Sequence, residues 1–292
     1  MASTNSVTMF PAEIVRDLFS KVRGKSSLAV LGHPLPTSFT GVDMFTFAMD
    51  EEANLVGEGG EHGAGKSAVE PVQMRPLKIE YGTRVSEEFM KASNDQMIAY
   101  LKEFNTGFSA KLARALDIMA MHGLNPRSDT TSPLITNYLD KGNQTVTFVD
   151  GKGHDNIEAA SALLGDYDVT GVAIAKTMAA DLAKMETKNG GKMYPELAWG
   201  GQPDNLNGVP ASVNTTVSFG KATKDMAIIG DFANMFKWGY GEEIKLEVIP
   251  YGDPDNTGKD LKGHGQVYIR AQAYVGFGIL DLKAFARVVK GG

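Results

Sequence analysis

Cysteine is absent from the 292-residue chain. Disulfides, thiolate metal sites and cysteine nucleophiles are excluded in one step, so the fold must hold on packing alone, as expected in a reducing cytoplasm. Basic charge is also short: 29 Lys and Arg stand against 35 Asp and Glu, a net charge of −6. Proteins that grip nucleic acid draw most of their affinity from neutralised phosphates, and this balance does not support such a surface. The one basic cluster, Arg16, Lys21, Arg23 and Lys25, is interleaved with Glu13 and Asp17 and reads as a solvated helix face. No run reaches the roughly 18–20 apolar residues of a membrane span. The opening Met-Ala-Ser-Thr-Asn-Ser lacks the basic start and apolar stretch of a signal peptide, so no membrane contact is expected.

Catalytic constellations are missing as well. His33, His62, His122, His154 and His264 are scattered, with no pair at metal-ligand spacing. No G-x-S-x-G elbow occurs, and the adjacent acids Glu51-Glu52, Glu87-Glu88 and Glu242-Glu243 read as helix-start or surface charges. Neither an enzymatic activity nor a cofactor is predicted. The two tryptophans, Trp199 and Trp238, read as core or interface anchors.

One motif points the other way. Gly60-Glu61-His62-Gly63-Ala64-Gly65-Lys66-Ser67 fits the P-loop pattern G-x-x-x-x-G-K-[ST], in which backbone N–H groups cradle phosphates, Lys reaches their oxygens and Ser binds Mg²⁺. That chemistry needs a buried strand before the loop and a helix N-terminus directly after it. Residues 50–58 before it are acidic and glycine-broken, and Pro71 follows five positions after Lys66, where a helix could barely begin. Ala227-Ile228-Ile229-Gly230-Asp231 could pose as the partner strand with a metal-binding Asp, weakened by Gly230. A P-loop NTPase using Lys66 and Ser67 is therefore the alternative from another class, and a flexible hairpin tip is the preferred reading.

The chain divides into recognisable stretches. The first forty residues predict an extended arm with one short helix, in which Ile14, Val15, Leu18, Phe19 and Val22 recur at helical spacing before Gly24. A Gly/Pro-punctuated segment follows, then a short apolar run, Met44 to Met49. Residues 51–70 are glycine-rich and acidic and cannot bury themselves. Val72 to Val85 alternates like a strand, slipping at Pro76, so the whole predicts a long exposed hairpin. From Ser86 to Met121, the apolar residues Met90, Met97, Leu101, Phe104, Phe108, Leu112, Leu116 and Met119 predict one long helix with one apolar face. Ser86 caps it, Gly107 marks a bend, and Gly123 with Pro126 stops it. Residues 130–230 alternate helices, at 157–164 and 177–185, with strands at 169–175, 213–219 and 226–229. Two long antiparallel strands follow around Leu246 and Ile269, and no internal repeat is present. The fold class is α+β.

This order resembles the Hong Kong 97-type major capsid protein of tailed bacteriophages across nearly the whole chain. Three segments carry the resemblance. Asn54-Leu55-Val56-Gly57-Glu58-Gly59 through Lys78, with Val85-Ser86-Glu87-Glu88-Phe89, is similar to the E-loop and its run into the spine helix. Ala115 to Gly123 resembles the end of that helix, and Ile228-Ile229-Gly230-Asp231-Phe232, Glu247-Val248 and Tyr268-Ile269-Arg270-Ala271 resemble the closing strands.

The resemblance implies an N-arm (1–43), an E-loop hairpin with its strands (44–82), a P-domain spine helix (83–129), an A-domain (130–238), P-domain closing strands (239–275) and a C-terminal return to the A-domain (276–292). It implies self-assembly through pentamers and hexamers into an icosahedral shell, in a virion assembled in the bacterial host cytoplasm. Portal and scaffold or decoration proteins would be its partners, and DNA would be enclosed without sequence-specific binding. A scaffold would be a separate protein, or a segment removed before residue 1. Glu58, Glu61, Lys66 and Glu70 at the E-loop tip, and Phe10, Ile14, Leu18 and Phe19 of the N-arm, would touch neighbouring subunits. The family's type member welds an E-loop lysine to an asparagine of the next subunit with help from a glutamate. Lys66 and Asn256 are the matching pair here, but no glutamate follows Asn256, so a solvated lysine paired with an acid is preferred. An encapsulin-type nanocompartment shell protein is the alternative sharing the fold.

Overall fold

The computed structural model describes residues 7–9, 20–22, 25–35, 40–49, 58, 67–90, 94–220, 224–241 and 245–291. In chain order these hold β1 (Val7–Met9), α1 (Ser27–Leu31), β2 (His33–Pro34), β3 (Val42–Met49), β4 (Ser67–Met74), β5 (Leu77–Ser86), α2 (Glu87–Met90) and the long α3 (Asn94–His122). The hairpin β6 (Leu124–Asn125) and β7 (Thr130–Thr131) leads to β8 (Thr145–Phe148), α4 (Gly153–Ala162), β9 (Gly171–Ile174) and α5 (Lys176–Lys184). Then come β10 (Asn205–Leu206), β11 (Val209–Val213), β12 (Asp225–Gly230), α6 (Phe232–Met235), β13 (Phe236–Tyr240), β14 (Lys245–Ile249), β15 (Gln266–Ile279) and β16 (Phe285–Lys290).

Most of the described strands form two six-stranded sheets. The first is organised around β15, which pairs antiparallel with β5 along Gln266–Val275, with β14 along Tyr268–Gln272 and with β13 along Val275–Ile279. β1 extends it beyond β14 and β2 beyond β13. The second runs β10-β11-β9-β12-β16-β8, with parallel pairs at β9/β11 and β8/β16. β9 and β12 are buried along their whole length, which explains why Val172–Ile174 and Met226–Ile229 read as unbroken apolar runs. A separate ribbon, β3 with β4, pairs from Val42↔Met74 to Met49↔Ser67.

Helix α3 spans 29 residues, about 44 Å at 1.5 Å per residue. Its two halves differ. Phe104 and Phe108 face the core while Lys102, Glu103, Gly107 and Lys111 are exposed, but from Ala115 to Gly123 every residue is buried. A helix buried on all sides belongs inside a core, and Ala113, Ala115 and Ala120 are among the small residues buried there. The expectation of a single apolar face therefore holds only for the outer half. Ser86 ends β5 opposite Gln266, and helix follows directly over Glu87–Met90 and again over Asn94–His122, with residues 91–93 between them outside the described residues.

Two further differences have local causes. The Gly/Pro-punctuated stretch after Gly24 contains α1, whose Leu28, Ala29 and Leu31 are buried, and β2, which pairs with β13. The predicted strand at 213–219 is displaced to Val209–Val213, because Asn214 and Thr216 turn away to bond Lys25 and Asp117.

Candidate functional site

Two buried polar joints flank the inner end of α3. At the first, Asp117 is fully buried among Leu116, Ile118 and Met121. Its Oδ1 accepts from the Ser26 hydroxyl at 2.5 Å and the Leu28 N–H at 3.1 Å. Its Oδ2 accepts from the Ser27 N–H at 3.0 Å, the Thr216 hydroxyl at 2.8 Å and the Asn214 amide at 3.3 Å. Ser26 in turn caps α1 by accepting from the Ala29 N–H. Asp117 thus satisfies the open N–H groups of one helix from the last turns of another. Burial raises its pKa, against the lowering pull of those donors.

At the second joint, His122, the last residue of α3, places Nδ1 2.9 Å from Asp140 Oδ2 and Nε2 2.8 Å from the Thr216 carbonyl. Both ring nitrogens face acceptors, which suits the doubly protonated imidazolium. Burial opposes that charge, but Asp140 prevails and the pKa is raised. Arg287 of β16 bridges Asp140 and Asp225 at 3.1 Å each and donates to the carbonyls of Asp140 and Gly142. Asp225 is pushed up to about 7, by burial first and then by the charge of Asp140. Burial acts on Asp140 in the same sense, but its bond from His122 leads the effects that hold it low. His122, Asp140 and Asp225 are close enough to hold a cation, but Arg287 already fills that role. The first joint ties α3 to α1 and to the segment after β11, and the second ties it to the 139–142 turn and to β12 and β16 of the second sheet.

The sequence-predicted contact residues lie elsewhere. Glu58 is an exposed turn residue, and Glu70 stands in β4 opposite Thr46. Glu61, Lys66, Phe10, Ile14, Leu18 and Phe19 lie outside the described residues. Asn256 is exposed in the loop between β14 and β15, with a left-handed φ of 52°. The P-loop geometry is not met: the chain runs as strand, not helix, from Ser67 to Met74. Asp231, its proposed metal partner, is buried and caps α6, accepting from the Asn234 N–H and the Thr170 hydroxyl. The tryptophans separate cleanly. Trp238 is 1% exposed in the core, whereas Trp199 is 105% exposed, at a left-handed φ of 60°.

Residues 8–290 match the phage capsid family. The chain belongs to that family. A curated relative, the major capsid protein of Staphylococcus phage 80alpha, is 27% identical over 292 residues, covering 95% of this chain and 83% of the relative. Among solved structures, a chain of Mycobacterium phage Ogopogo superposes with a TM-score of 0.78 at 29% identity, covering 91% of this chain and 92% of the other. One of Gordonia phage Cozz gives 0.70 at 20% identity, covering 100% and 89%. The capsid of a native GTA particle gives 0.64 at 13%, covering 100% and 95%. This capsid protein is a structural component of the virion shell, of the kind that forms the heads of tailed phages.

Proposed function

We propose that the chain is the shell-building subunit of a Hong Kong 97-type head, self-assembling through pentamers and hexamers. The family match over residues 8–290 carries this reading. In it, residues 1–43 are the N-arm, 44–82 the E-loop hairpin, 83–129 the spine helix of the P-domain and 130–238 the A-domain. Residues 239–275 are the closing P-domain strands, and 276–292 return to the A-domain. Two features support it. The β3–β4 ribbon pairs with no other described strand, as a segment meant for a neighbour would. β16 joins the second sheet between β12 and β8, far from its sequence neighbour β15 in the first.

In this reading Glu58, Glu61, Lys66 and Glu70 contact the next subunit, and Phe10, Ile14, Leu18 and Phe19 anchor the arm. Trp199, exposed in a left-handed conformation that costs a bulky residue energy, is a further intersubunit anchor. Portal and scaffold or decoration proteins complete the head, and the acidic surface encloses DNA without gripping it. Electron microscopy of the purified chain tests this. Closed particles, or rings of five and six, are expected; a stable ATP-binding monomer would end the reading.

A further inference from the structure

The loop between β14 and β15 holds a second constellation, unrelated to the joints at α3. Asp253-Pro254-Asp255-Asn256-Thr257-Gly258-Lys259 sets oxygen-bearing side chains at its first, third and fifth positions and a glycine at the sixth. Gly258 has the left-handed φ of 78° that turns the chain sharply there, bringing the next carbonyl inward. This is the first half of a calcium-binding loop, in which positions 1, 3 and 5 give side-chain oxygens, position 6 is glycine and position 7 gives its backbone carbonyl.

The four expected oxygens do converge on one point. Around it lie Asp253 Oδ1 at 2.7 Å, Asp255 Oδ1 at 2.5 Å, Thr257 Oγ1 at 2.6 Å and the Lys259 carbonyl at 2.9 Å. The atom at that point is not a metal. It is Nη2 of Arg84, contributed by β5 from 169 residues earlier in the chain. Arg84 Nε reaches Asp255 Oδ2 at 2.9 Å, and Nη1 reaches Gln266 at 3.3 Å.

A guanidinium nitrogen of this type carries two N–H bonds, yet four oxygens crowd it. Hydrogen bonding alone does not call for two surplus acceptors around one nitrogen, whereas a spherical cation does. The usual sixth-ligand acid is missing: the twelfth position is His264, which has no carboxylate. Asp260 is committed elsewhere, accepting from the N–H groups of Gly252 and Gly263.

We infer that residues 253–259 form a calcium-type oxygen cage whose resident cation is Arg84, and that removing Arg84 opens the cage to Ca²⁺. In the intact chain the loop is ordered without an ion and is indifferent to chelators. Without Arg84 two carboxylates face each other uncompensated, and a divalent ion of matching size restores the closed loop. Contraction by a few tenths of an ångström brings the oxygens to the 2.3–2.6 Å range of Ca²⁺. Mg²⁺, which demands shorter, near-octahedral bonds, fits less well.

Endoproteinase Lys-C offers a direct readout, since Lys259 and Lys262 are exposed on this loop and Arg84 is not a cleavage site. The purified full chain is compared with Arg84→Ala and, as a bulkier uncharged replacement, Arg84→Gln, each checked for intact fold by circular dichroism. In EDTA, the variants should be cut at Lys259 or Lys262 at least about tenfold faster than wild type. About 1 mM Ca²⁺, at the weak end of such loops, should restore protection where equal Mg²⁺ does not. Calorimetric titration should show one Ca²⁺ site in the variants, none in wild type, and none after Asp255→Asn is added to Arg84→Ala. Loop cleavage unchanged by loss of Arg84, or enhanced but not reversed by Ca²⁺, overturns the inference, as does Ca²⁺ bound at this loop by wild type.

Discussion

The Ser26 hydroxyl donates a 2.5 Å hydrogen bond to Asp117 Oδ1, joining positions 91 residues apart and both buried. Through this contact a five-residue helix near the start of the chain is capped by the carboxylate of the longest helix. Asp117→Ala would strand the N–H groups of Ser27 and Leu28 and the hydroxyl of Thr216. Each lost bond to a charged group is worth roughly 1.5–3 kcal/mol, so a destabilisation on the order of 3–5 kcal/mol is expected. Denaturant unfolding would check it, and a loss below about 1 kcal/mol would show that water replaces the carboxylate.

The second joint predicts a pH dependence with a defined sign. Asp225 is raised to about 7, so the folded chain binds its proton more readily than the unfolded chain. Its contribution to stability is present at low pH and lost as pH climbs from about 4, the unfolded value, towards 7. His122, also raised, acts in the same direction, its contribution being lost as pH rises through its folded value above 6.5. Asp140, lowered, contributes above the unfolded carboxylate range and loses that contribution only in acid. Melting curves of wild type and Asp225→Asn should therefore converge in acid, with wild type falling relative to the variant up to pH about 7. Parallel curves throughout would show that Asp225 titrates normally.

Trp199 should matter to assembly and not to the subunit. Trp199→Ala removes no buried contact of the single chain, so its stability should change by no more than about 0.5 kcal/mol. If Trp199 anchors a neighbour, losing it costs about 2 kcal/mol or more per contact. The protein concentration needed to form particles would then rise at least about tenfold by light scattering. Particles forming at the wild-type concentration would remove Trp199 from the interface.

Gly82 in β5 lies under the ring of Tyr268, which leaves no room for a Cβ. Gly82→Ala must push that largely buried ring aside, at about 1–3 kcal/mol. A crystal structure of the variant should show Tyr268 rotated outward; an unmoved ring and an unchanged melting temperature would contradict the packing described.

Lys66→Ala should have little or no effect on particle formation, as expected of a solvated contact at an interface rim, and denaturing gels of assembled wild-type particles should run as a single monomer band. A ladder of covalent oligomers would revive a bond between Lys66 and Asn256.

Much of the fold was legible because it is periodic. The apolar residues between Met97 and Met119 marked α3, the alternation around Leu246 and Ile269 marked β14 and β15, and the unbroken apolar run at 226–229 marked β12. What escaped depends on partners distant in sequence. Helix α1 is too short to show a period, and its cap comes from Asp117. The all-round burial of the inner half of α3 was hidden because alanine reads alike on a core face and a solvent face. Asp117 did leave a trace, an acid set between Leu116 and Ile118, and so did the oxygen spacing of Asp253, Asp255 and Thr257. Neither trace named its partner, since Ser26 and Arg84 arrive from other elements. Of the predicted contact residues, Glu58 and Asn256 are exposed and Glu70 lies in the ribbon, while the others fall outside the described residues.

The central place of β15 also sets an order of events during synthesis. Its first residue pairs with Ser86, 180 positions earlier, so β5 leaves the ribosome long before its partner exists. At about 5–20 residues per second, that interval is on the order of ten to forty seconds. Through it β5 lacks the strand that holds it, joined near the end by β13 and β14, and these open edges could pair with other nascent chains. A molecule whose finished form depends on copies of itself must therefore avoid meeting them too early.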